Sequence, residues 1–168
     1  NILLKAYKTY IRPIFDYASN VWSPYYLKYI NAIERVQRNF TKRIPSLSNL
    51  SYAERLAMLD LETLECRRLK ADLTMYYKII NNLTVFNSSV YFEFNVHVRD
   101  TRLATESNSC CINRPLCRTS GFQNDFFQRC ILCWNSLPNT VVESSCLKIF
   151  KSELNKINLA DFLKYKLL

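Results

Sequence analysis

Four cations at helical spacing are the residues best placed to do chemistry. At about 100° per residue, Lys28, Arg35, Arg38 and Lys42 fall on one arc of a helix, separated only by Asn31 and Asn39. Such a face either meets something acidic or is solvated, and Glu34 can pair with Arg38 at i,i+4 and take up part of the charge. The other candidates are weaker. Cys130-x-x-Cys133, and Cys110 and Cys111 with Cys117, invite a zinc reading. Cys130 and Cys133, however, lie one helical turn apart in an aromatic-rich segment, where thiols pack as small hydrophobes. His97 is the one histidine of the sequence, and no Ser or Cys partner for acid–base work is identifiable. Metal-dependent phosphoryl transfer needs clustered carboxylates. No Asp-Asp pair occurs, and Asp16 in IFDYAS reads as a solvated or ion-paired side chain. The single glycine, Gly121, cannot build a phosphate-cradling loop. These residues alone do not make an active site.

The elements that must carry the cations read as helices. In SPYYLKYINAIERVQRNFTKRIP, Ser23 fits an N-cap and Pro24 the first helical position, and the helix ends before Pro45. Opposite the cations, Tyr26, Tyr29, Ile30, Ile33, Val36, Phe40 and Ile44 form an apolar arc that predicts the core-facing side. Upstream, residues 2 to 22 read as helix with Leu3, Tyr7, Tyr10, Ile14 and Tyr17 near helical spacing, divided or kinked at Pro13. Downstream, Ser51-Tyr52-Ala53-Glu54 is a capping box for a short helix to about Leu59. Thr63 caps a longer helix carrying Leu69, Leu73, Tyr76 and Ile80, whose far side holds a second basic strip, Arg67, Lys70 and Lys78, read as solvated. From Leu83 to about Arg118 the periodicity fails, apart from one short strand expected from alternating Val90, Phe92, Phe94, Val96 and Val98. Helix resumes from about Asn124 to before Pro138, and a last helix after Ser145 carries Leu147, Phe150 and Leu154.

The expected fold class is mainly α: a helical bundle over residues 1–82, an irregular connector over 83–118 and a C-terminal helical extension over 119–168. Composition agrees, since 49% hydrophobic and 14% aromatic residues exclude disorder. Charge adds a direction. Of the net +9, residues 1–50 hold eight Lys and Arg against two Asp and Glu, which is +6. A charge so concentrated points to a polyanion, and to nucleic acid over membrane, because no long apolar run or lipidation signal is present. Seven cysteines with no secretory signal favour reduced thiols and an intracellular setting, nucleus or cytoplasm. Opening in helix-like sequence without Met, the chain reads as a piece of something longer.

Four blocks in order carry a resemblance: AYKTYIRPIFDYASNVWSP at 6–24, IERVQRNFTKRIP at 33–45, LSYAERLAMLDLETLECRRLKADLTMYYKIIN at 50–81, and FFQRCILCWNSLPNTVVESSCLKIFKSEL at 126–154. Together they resemble the C-terminal part of non-LTR (LINE-type, jockey-like) retrotransposon reverse transcriptases, from the thumb onward. The resemblance implies a helical thumb that grips RNA template and DNA primer while the palm does the chemistry. It also implies palm and fingers domains as partners and a parent enzyme using Mg2+. The family's Tyr or Phe-x-Asp-Asp aspartates have no counterpart in this chain, so no catalytic site and no cofactor are expected within it. Under the resemblance Lys28, Arg35, Arg38 and Lys42, with Arg43 at the edge, become candidate phosphate contacts that position a duplex without reading its sequence. Tyr7, Tyr10, Tyr17, Trp22, Tyr25 and Tyr26 could stack on bases, but their spacing favours core packing. Trp134 to Pro138 is a family signature whose expected work is to end a helix and pack Trp134. The rival readings are a helical protein-interaction module and a decayed pseudogene product.

Overall fold

A computed structural model describes residues 2–95 and 108–166, and the chain divides into two units, Asn1–Ala71 with Ala160–Leu168, and Asp72–Leu159. The protein is mainly α, and among the described residues no strand forms.

In the first unit, α1 (Ile2–Ala6), a π turn (Tyr7–Ile11) and α2 (Arg12–Asp16) follow one another directly. Pro13 brings no N–H to the ladder, and the wide turn before it absorbs the mismatch. Ala18 then adopts a left-handed conformation (φ 48°), and α3 (Ser19–Trp22) follows. Of the aromatic residues assigned to packing in this stretch, Tyr7 alone is fully buried, stacked on Phe40 at 4.4 Å, whereas Tyr10 and Tyr17 are 74% and 80% exposed.

The central helix, α4 (Leu27–Lys42), starts later than its sequence suggests. Ser23 closes α3 and Tyr26 occupies the N-cap without a side-chain bond, so the expected Ser23–Pro24 start is corrected. Pro45 opens a 3-10 turn over Pro45–Leu47, consistent with helix termination before a proline. In α5 (Tyr52–Leu59) the capping box is complete: the Glu54 amide donates to Ser51 Oγ at 3.3 Å and the Ser51 amide to the Glu54 carboxylate at 2.7 Å. Thr63 Oγ1 accepts the Cys66 amide at 3.2 Å at the start of α6 (Leu64–Ile80), which supplies residues to both units.

A chain with one glycine must end helices on other residues. Asp60 (φ 50°) follows α5 and Asn82 (φ 54°) follows α6, both left-handed. The Leu61 amide reaches the Leu56 carbonyl at 3.0 Å and the Leu83 amide the Lys78 carbonyl at 2.7 Å, the wrapped ends that glycine usually makes. The core of the unit gathers Ile30, Tyr52, Leu56, Leu61 and Tyr165, with Leu4 and Leu59 against it.

In the second unit, α7 (Ser88–Tyr91) contains Val90, so the expected strand does not form there. What remains of it is a single antiparallel bridge between Phe94 and Ile112. Val96, His97 and Val98 lie outside the described residues. After α8 (Ser120–Gln123) the single helix expected from Asn124 is two, α9 (Phe126–Arg129) and α10 (Ile131–Asn135), parted at Cys130. Two more follow, α11 (Asn139–Val142) and α12 (Leu147–Leu154), the latter burying Phe150 and Leu154 as its pattern predicts. Tyr77 stacks on Phe150 at 4.4 Å, and Trp134 lies against Tyr76 and Phe150.

The Trp134–Pro138 segment does more than pack. Trp134 Nε1 donates to the Cys110 carbonyl (3.0 Å), Asn135 exchanges two bonds with the Ile112 backbone (2.8 and 2.9 Å), and Asn108 Nδ2 donates to the Trp134 carbonyl (2.7 Å). It thus clamps residues 108–112, which have no regular structure of their own to satisfy their backbone groups.

Candidate nucleic-acid interface

Seen along its axis, α4 is turned from the orientation its apolar arc suggests. The fully buried positions are Ile30, Glu34, Gln37 and Thr41, while Tyr26, Tyr29 and Val36 are 55%, 54% and 41% exposed. Three polar side chains occupy the inward face because each finds partners. Gln37 accepts from the Tyr7 hydroxyl (2.8 Å) and donates to the Tyr52 hydroxyl (3.0 Å) and the Glu62 carbonyl (2.8 Å). Glu34 accepts from the Tyr52 hydroxyl (2.5 Å) and from the Leu64 amide (2.9 Å). Thr41 Oγ1 accepts from Arg55 Nε at 3.1 Å. Satisfied in this way, the network ties α4 to the π turn, α5 and the start of α6. Burial pushes the Glu34 carboxyl above its usual range, and the Tyr52 and Leu64 bonds partly offset it. The Glu34–Arg38 pair allowed by spacing is not made. Glu34 points inward and Arg38 outward.

The outward side of α4 forms one wall of a pocket of about 860 Å³. Lys28, Arg35 and Arg38 line it from α4, Arg55 from α5, and Lys164 and Lys166 from the C-terminal segment, with Leu27, Ala32 and Leu50 as apolar lining. Among the described residues no acidic side chain lines it. The Arg38 guanidinium lies against an edge-to-face pair of rings, 5.4 Å from the centre of Tyr52 and 5.5 Å from that of Tyr165, and donates to the Tyr165 hydroxyl. Glu65 holds the returning segment by accepting the backbone amides of Lys164 (3.1 Å) and Tyr165 (2.7 Å). Lys164 Nζ reaches back to the Tyr25 carbonyl at 2.8 Å.

Three of the five residues expected from sequence therefore meet in one pocket. Lys42 and Arg43 are exposed at the end of α4 and do not line it. Arg55, Lys164 and Lys166 were not anticipated. Arg55 carried no signal, and Lys164-Tyr165-Lys166 is a bend whose three side chains all line the pocket, which a three-residue stretch cannot reveal by periodicity. The second basic strip is largely neutralised: Arg67 pairs with Asp16 at 2.6 Å, and Lys70 pairs with Glu62.

Elsewhere, Cys130 is buried, its Sγ 3.5 Å from the Asp72 carboxylate, which Arg129 grips through two bonds of 2.8 Å. Burial, and next the Asp72 charge, push the Cys130 thiol well above its ordinary value. Among the described residues no three His, Cys, Asp or Glu side chains come together to hold a metal ion, and no helix is long and apolar enough to cross a membrane.

No family model matches the chain, and no solved structure does. A curated protein of Caenorhabditis elegans, Uncharacterized protein B0403.1, is 25% identical over 84 residues, spanning 48% of this chain and 42% of that protein. The chain thus aligns with less than half of that relative's length, and the relative's name assigns no activity.

Proposed function

We propose that this chain is the thumb-like portion of a non-LTR retrotransposon reverse transcriptase, gripping nucleic-acid backbone through the cationic pocket of its first unit. One observation carries the reading: six cations from three separate stretches of sequence converge on one pocket with no acidic side chain among the described residues of its lining. Cations so arranged neutralise phosphates without reading bases. RNA template and DNA primer are the ligands, the palm and fingers of the parent polymerase are the neighbours, and the setting is intracellular, nuclear or cytoplasmic. The parent's Mg2+ has no ligand set among the described residues, and no chemical step is assigned to them.

The test is fluorescence anisotropy with a labelled RNA–DNA hybrid that carries a single-stranded template extension, across a salt series. Lys28→Ala with Arg35→Ala should reduce the slope of log affinity against log salt by about two. Identical slopes and affinities for wild type and double variant would remove the proposal.

A second reading, a helical protein-interaction module, is favoured by the apolar side chains bared on α1 to α3, with Ile2, Ile14 and Val21 exposed by 88%, 69% and 86%. It requires self-association on gel filtration and no binding to nucleic acid.

A further inference from the structure

The lining of the pocket narrows what it can hold. A duplex offers a broad convex flank, with two rows of phosphates, to a flat or ridged cationic surface. The basic face of α4 is not left flat. The C-terminal segment returns beside it, and Lys164 and Lys166 face Lys28 and Arg35 around a concavity of about 860 Å³. That volume is in the range of about 300–1,000 Å³ typical of small-ligand sites, enough for a short run of nucleotides and too little for a double helix. Its interior is also mixed: cations converge from α4, α5 and the returning segment, and Leu27, Ala32 and Leu50 supply an apolar part. Phosphates suit the first and the faces of unpaired bases or sugars suit the second. Tyr52 and Tyr165 do not serve as stacking platforms. They are 7% and 6% exposed, and their rings are taken up by Arg38.

We infer that the pocket between α4 and residues 164–166 holds an unpaired strand of nucleic acid, with the strand's phosphates among Lys28, Arg35 and Lys166. The inference rests on the nucleic-acid reading above and specifies its ligand. Lys28, Arg35 and Lys166 are exposed and make no ion pair within the protein among the described residues; Lys166 Nζ donates to the Ala160 carbonyl at 3.2 Å, a neutral partner that leaves its charge available to a ligand.

The experiment measures binding of three labelled or competing probes at one salt concentration: a single-stranded oligouridylate, a blunt RNA–DNA hybrid and free ATP. Wild type is compared with Lys28→Ala/Lys166→Ala, two exposed positions at which thermal melting should not change. The inference expects the variant to lose about tenfold in affinity for the single strand and less than twofold for the blunt hybrid, with ATP competing only weakly. Equal losses on both oligonucleotides would overturn it while leaving the backbone grip standing. ATP competing as well as the oligouridylate would make the pocket a free-nucleotide site and also overturn it. Absence of binding to either oligonucleotide would remove the nucleic-acid reading itself.

Discussion

Arg38 and Tyr165, 127 residues apart in sequence, are joined by a hydrogen bond and by a cation over a ring, and Tyr52, edge to face with Tyr165, lies against the same guanidinium. Through this contact a cation on the pocket-facing side of α4 also fastens the segment that completes the pocket.

The plate-like shape of the Arg38 side chain matters as much as its charge. Arg38→Lys keeps the positive charge but loses the planar guanidinium that lies against both the Tyr52 and Tyr165 rings. It should lower stability by about 1 kcal/mol, read as a drop in thermal midpoint. An unchanged midpoint would mean the stack contributes nothing.

Two carboxyls, Glu34 buried and Glu65 half-buried, give the protein an unusual response to acid. Burial is the largest cause acting on both Glu34 and Glu65, and it raises each above the ordinary 4.5. A group whose folded value exceeds its unfolded one contributes stability that is complete below the unfolded value. That stability is lost as pH rises through the folded value. Relative to Glu34→Gln/Glu65→Gln, the wild type should therefore gain stability as pH falls from neutral towards about 4.5, seen in melting curves from about pH 8 to about pH 4. A gap that moves the other way would show that the hydrogen bonds to these carboxylates outweigh their desolvation.

The thiols should react in order of exposure. Cys146 is exposed, whereas Cys130 is fully buried with its thiol pushed up by burial and the Asp72 charge. A maleimide at neutral pH should label Cys146 well before Cys130, as mapped by mass spectrometry of peptides. Early labelling of Cys130 would mean that the break between α9 and α10 opens in solution.

Local signals in the sequence translated well into structure. The Ser51–Glu54 box, the Thr63 cap, the Leu73 and Tyr76 stripe and the burial of Phe150 and Leu154 each depend on residues a few positions apart, and each forms. The inward face of α4 was not legible, because Glu34, Gln37 and Thr41 look like surface residues until Tyr7, Tyr52, Arg55 and Leu64 arrive to satisfy them. An apolar-arc argument counts hydrophobicity and cannot see partners 14 to 30 residues away. The same limit applied to the site. Lys28, Arg35 and Arg38 share one helix and could be found by spacing, whereas Arg55, Lys164 and Lys166 join them through tertiary contacts. The strand expected from Val90 onward failed at its first residue because Asn87 caps a helical turn, its side chain accepting the Ser89 amide at 3.1 Å.

The order in which a ribosome emits the chain gives the returning segment a further meaning. Arg38 and the rest of α4 emerge long before Lys164 to Lys166 are made. A nascent chain therefore carries the cations of α4 before the segment that walls the pocket. The concavity exists only once Glu65 has captured the late-arriving amides of Lys164 and Tyr165. The shape of the pocket, as distinct from its charge, is thus completed late in the synthesis of the first unit.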